Sequence, residues 1–164
     1  MNEMTAGEQW ARGEALESEA ATLLGKMLFE FSRLDVNLGL CLVWVDGGSN
    51  LASLTKTVGT YNLNTKLDEL AKLVDIKLPP GSKRHKAYKA WLERTHKVRQ
   101  QRNELVHGRW GVDAPNNQVI NILGLPTSDA QREIRYSIEE LAAINDELRQ
   151  LQQELSRLRT HWPL

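Results

Sequence analysis

The sequence predicts a mainly all-α fold, an up-down helical bundle of four to five helices with a small β-hairpin between the last two long helices. Three observations predict it. Segments at about 5–46, 82–107 and 137–159 repeat apolar residues every three and four positions, the spacing of one helix face. Asp46-Gly47-Gly48 and Pro79-Pro80-Gly81 interrupt the chain as turns. Arg109–Ile122 has instead the short β-rich runs and central turn of a hairpin. At 164 residues the chain reads as one domain, 1–164, with 1–19 a polar arm prone to fraying.

In the first helix Leu24, Leu28, Phe31, Leu38, Leu42 and Val45 form the predicted inner stripe. The slot between Phe31 and Leu38 falls on Asp35, a costly place for a carboxylate unless it is paired. The alternative is that Leu34 takes the slot and Asp35 sits at the margin. Leu51–Leu63 is weakly patterned and reads as loop with a helical turn. Asn64 or Thr65 can cap a shorter helix reaching about Val74.

Ser82 is a good N-cap for a helix to His107, whose stripe is Tyr88, Trp91, Thr95, Val98 and Leu105. The missing member is Arg102. Two long helices thus carry opposite charges on their stripes, and we expect Asp35 and Arg102 to meet as a pair that fixes the guanidinium. After the hairpin (109–113, turn 114–117, 118–122), Pro126–Asp129 is expected to be loop. Ser137-Ile138-Glu139-Glu140 then opens a last helix as a capping box.

The net charge is zero, but it is unevenly spread. Lys83–Arg109 holds nine Lys and Arg against Glu93 and Glu104, a local excess of seven positive charges, which the rest of the chain offsets. Such a stripe points to an anionic partner, or to neutralisation by the acidic first segment. The one cysteine, Cys41, lies in an apolar run and cannot form an internal disulfide. No run has the roughly 18 apolar residues of a membrane span, and no basic leader opens the sequence. The expected location is the cytoplasm, with no membrane partner.

The histidines (85, 96, 107 and 161) lack the close spacing of a zinc site, so no metal or other cofactor is expected. Neither a Gly-rich phosphate loop nor a Ser or Cys nucleophile signature is present. What remains is Arg102, Asn103 and His107 at the end of the basic helix, followed by Gly108, which can stop it. Asn103 and His107 lie one turn apart, whereas Arg102 and His107 differ by about 140° on an ideal helix. The last two converge only if the helix unwinds near Gly108 or if a second copy completes the site. His96, Lys97, Arg99 and Arg109 supply a basic face for an RNA backbone.

These groups suit RNA cleavage, in which the substrate's 2′-hydroxyl is the nucleophile. Histidine can move the proton, and arginine can meet the charge gathering on phosphate. The plainer account of His107 is a histidine favoured by the negative end of a helix. Trp91, Trp110 and Trp162 could stack bases, although core packing is the commoner use.

Arg102-Asn103-x-x-x-His107 resembles the Arg-x4–6-His signature of HEPN domains (higher eukaryotes and prokaryotes nucleotide-binding), including the Asn often found after the Arg. The order of helices over about residues 20–160 is similar too. The resemblance implies a helical homodimer in which two motif helices form one cleft. It also implies a metal-independent endoribonuclease that leaves a 2′,3′-cyclic phosphate, in toxin–antitoxin, phage-defence or RNA-processing settings. Arg102 would bind the scissile phosphate, His107 would handle protons and Asn103 would orient the group, with RNA as substrate and an antitoxin or defence protein as a further partner. The alternatives are a catalytically inactive HEPN-like module that binds RNA, nucleotide or protein, and a helical adaptor. Arg109 stands where some HEPN toxins have a tyrosine, so tyrosine nucleotidylylation is not expected.

Overall fold

The computed structural model describes residues 4–164. Among these, five helices and one three-stranded sheet run in the order α1 (Ala6–Val43), α2 (Leu51–Val58), α3 (Leu63–Lys77), α4 (Lys83–His107), β1 (Arg109–Asp113), β2 (Gln118–Leu123), β3 (Arg132–Tyr136) and α5 (Ile138–His161). The chain is mainly helical, and no helix among the described residues is long and apolar enough to cross a membrane. The residues group into two compact units.

One unit joins the chain through Phe29 to Gln100–Glu147 and contains the sheet. The sheet is antiparallel with order β1-β2-β3, and its register sets Trp110 opposite Asn121 and Asn121 opposite Ile134. Asp113 closes the hairpin turn by accepting from the Asn116 N–H at 3.2 Å, and Asn117 takes the left-handed conformation at φ 54°. Strand β3 falls just after the expected loop at Pro126–Asp129. Its residues Arg132, Glu133 and Arg135 are exposed and only Tyr136 is buried, the charged character of an edge strand. The capping box forms: Ser137 Oγ accepts from Glu140 N at 3.1 Å, and a Glu140 carboxylate oxygen accepts from Ser137 N at 2.8 Å. Helix α5 is tied to α1 by Asn145, whose buried amide donates to Leu23 O at 3.0 Å. The polar segment expected to fray is helical from Ala6, and Leu16 is fully buried.

The other unit comprises Glu30–Arg99 with Leu148–Leu164. Trp91 lies fully buried, and its indole N–H donates to Leu151 O at 2.8 Å. Thr95 satisfies its hydroxyl on Trp91 O at 2.8 Å. Buried Glu30 is compensated from α5, accepting from Gln152 Nε2 at 2.7 Å and facing Arg149 Nε at 3.4 Å. Its own helix adds Arg33 at 2.7 Å.

The stripe of α4 is as predicted: Tyr88, Trp91, Thr95, Val98 and Leu105 are all buried. In α1, Phe31, Leu38 and Leu42 are buried as predicted, while two slots of the stripe fall elsewhere. Leu34 takes the inner slot with no exposure, Met27 replaces Leu28, and Leu28 is 45% exposed. Asp35 is therefore marginal, and its partner is Lys66 of α3, with Nζ 2.8 Å from Oδ1. This corrects the assignment of that carboxylate to Arg102: a side chain on the margin of α1 finds the buried ammonium of α3. Helix α3 is capped by Asn62, not Asn64 or Thr65, with Asn62 Oδ1 accepting from Thr65 N at 2.9 Å. The segment after Asn50 forms the two-turn helix α2 in place of the expected loop.

Candidate functional site

Helix α4 remains α-helical through His107, and Gly108 N–H still donates to Glu104 O at 3.2 Å. A helix end leaves several carbonyls without partners. The sheet supplies two donors here. Trp110 Nε1 donates to Leu105 O at 2.9 Å, and Asn121 Nδ2 donates to Glu104 O at 2.9 Å. On the side-chain level, Arg132 of β3 pairs with the Glu104 carboxylate. Three contacts from the sheet thus hold the last turn of α4.

Gly108 permits this arrangement. A Cβ there would fall inside the van der Waals envelope of the Asn121 carboxamide, which is completely buried. Gly108 is not among the residues with left-handed backbone. The helix stops before it, as expected, and Gly108 has a further task, admitting the amide of β2 to the helix end. Asn121 Oδ1 lies over this glycine without a hydrogen-bond partner.

On the fixed terminus, Arg102 and Asn103 are half-buried and His107 is exposed. Arg102 Nη1 lies 3.4 Å from Asn103 Oδ1. Asn103 and His107 share a face one turn apart. Because the helix does not unwind before His107, Arg102 and His107 keep their separation of about 140°, and one chain does not bring them to the same side. Val106, beside His107, leaves its side chain 41% exposed. Arg109 opens β1 in the exposed class, with Nη2 3.4 Å from Gln131 Oε1.

Asp35, His96, Lys97 and Arg99 belong to the other unit. Lys97 is exposed, while His96 and Arg99 are half-buried and Arg99 Nε is enclosed without a hydrogen bond. Of the tryptophans weighed for base stacking, Trp91 is core, and Trp110 spends its N–H on α4 and sets its ring 6.0 Å from that of Tyr136. Burial, helped by the charge of Glu104, pushes the Tyr136 phenol up and keeps it neutral.

Asn121 and Arg132 are absent from the sequence-based set, and Trp110 enters it only as a base-stacking candidate, not as the donor that caps α4. A signal for two of them exists: the hairpin register places Trp110 opposite Asn121, so a polar residue amid Val119, Ile120 and Ile122 points with the indole toward one face. Arg132 carries no such signal. Among the described residues, no three His, Cys, Asp or Glu side chains gather where a metal could be held. No family model, curated protein or solved structure matches the chain.

Proposed function

We propose that the chain is a metal-independent endoribonuclease of the HEPN type, working as a homodimer in the cytoplasm with its helices in an up-down bundle. The observation that carries this reading is the end of α4. A guanidinium, a carboxamide and an exposed imidazole occupy two turns of a helix whose terminus the sheet holds rigid. Pre-set groups of this kind lower a barrier without reorganising as the reaction proceeds.

In the proposed reaction the RNA 2′-hydroxyl attacks the adjacent phosphorus and the 5′-oxygen of the next nucleotide leaves, giving a 2′,3′-cyclic phosphate. His107 moves the proton between attacking and leaving oxygens. Arg102 binds the phosphate oxygens, and Asn103 orients Arg102. Since a regular helix turns Arg102 and His107 apart, the pair that acts on one phosphate comes from two copies related by a twofold axis. Exposed Val106 beside His107 is suited to such a contact. Arg109 tracks the RNA backbone, and contacts to RNA are proposed also for His96, Lys97 and Arg99. A toxin–antitoxin or antiviral setting, with a protein that restrains the nuclease, is part of the same proposal.

The test is incubation with RNA in EDTA. Wild type should cleave, and Arg102→Ala and His107→Ala should each lose about 10²–10⁴ in rate, the range of a positioned acid–base group. Salt-sensitive RNA binding without cleavage would select the inactive binding module instead. Neither binding nor cleavage would end the nuclease reading.

A further inference from the structure

Within the unit of Glu30–Arg99 and Leu148–Leu164 lies a cavity of about 350 Å³, unrelated to the end of α4. Small-molecule sites span about 300–1,000 Å³. The residues that give it character are Cys41, Trp44, Tyr88, Ser156, Arg159 and Pro163. Among the described residues no acidic side chain lines it, and Leu164, the last residue of the sequence, is also part of the lining.

Arg159 is half-buried in the last turn of α5, and among the described residues it makes no hydrogen bond or ion pair. A partly desolvated guanidinium lacking a counter-charge is unfavourable, and an anion that accepts from its N–H groups relieves that cost. Its field reaches the Cys41 thiol and the Tyr88 hydroxyl, lowering both against the stronger upward push of burial. The three groups line the same cavity. The Tyr88 hydroxyl already donates its hydrogen bond to Trp162 O at 3.0 Å. Donors for a ligand come from Arg159 and the Ser156 hydroxyl.

The opposite requirement, a surface for apolar contact, is met by Trp44. Its side chain is 48% exposed, and its ring lies against the backbone of Gly48. A Cβ at Gly48 would come within 2.7 Å of the ring, and the φ of +88° there further favours glycine. The indole thus packs on bare backbone and leaves an exposed face available for stacking.

We propose that this cavity binds a small anion carrying a flat ring, with the charged group on Arg159 and the ring against Trp44. The charged group is a carboxylate or a phosphate monoester. Titration of the full chain with benzoate and with phenyl phosphate, each compared with neutral benzamide, tests this and separates the two chemistries. At least one anion should bind tenfold or more tightly than benzamide. Saturation should slow alkylation of Cys41, the only thiol in the chain, several-fold. Arg159→Gln should remove the preference for the anion with no change in Tm, since Arg159 has no partner to lose. Trp44→Leu should weaken phenyl phosphate but not inorganic phosphate. The proposal is overturned if neither anion outbinds benzamide, if Arg159→Gln binds as wild type does, or if alkylation of Cys41 is unchanged at saturation.

Discussion

At residue 108 the missing side chain is used as space. The carboxamide of Asn121 lies where a Cβ would stand, and from there it donates to Glu104 O. Gly108 and Asn121 therefore form one device, and the cost of losing either is the same hydrogen bond and a misfitted buried amide. Gly108→Ala and Asn121→Ala should each lower stability in urea unfolding by about 1–3 kcal/mol, the range for a disrupted buried polar contact. Because both changes remove one contact, the double variant should lose less than the two single losses added together. Strictly additive losses would show that the two residues act separately. Lys66 shows another economy at this scale: its buried ammonium takes both the carboxylate and the backbone carbonyl of Asp35.

Among the elements, the sheet best separates what pattern reveals from what packing decides. Asp113 ends β1, closes the turn onto Asn116 and reaches across to Arg135 of β3. Hydrogen bonds from Asn116, then that of Arg135, hold its carboxyl below the ordinary value of 3.8. A carboxylate lowered in the folded state contributes stability that is present in full above 3.8 and is lost as pH falls through the folded value. Asp113→Asn should therefore be less stable than wild type at pH 7, and their thermal transitions should converge below pH 3.8. A gap that stays constant into acid would contradict this role. The α4 stripe, the hairpin and the Ser137–Glu140 cap were legible because each is a local pattern with a period or a fixed spacing. Strand β3 was not, because Arg132, Glu133 and Arg135 give it the composition of a charged loop, and pairing with β2 alone makes it a strand. Two slots of the α1 stripe were not either, since Leu28 extends an apolar stripe just as well as Met27 and Leu34 do.

For the whole molecule, the positive excess on α4 and the held end of that helix are the two features on which the proposed RNA-cleaving pair of chains rests. Arg102, Asn103, His107 and Arg109 could be picked from the sequence because their residue types and spacing carry the chemistry. The groups that fix them, Asn121, Trp110 and Arg132, lie 17, 5 and 28 positions from the α4 atoms they hold and depend on tertiary pairing. The proposed reaction would need two copies, because a straight helix divides Arg102 from His107. Mixing Arg102→Ala with His107→Ala, under conditions where subunits exchange, measures this most directly through cleavage of RNA in EDTA. Each variant alone lacks one member of every pair, whereas a mixed dimer regains one arginine and one histidine from different chains. The account predicts cleavage by the mixture well above that of either variant; a mixture no more active than its components would contradict it.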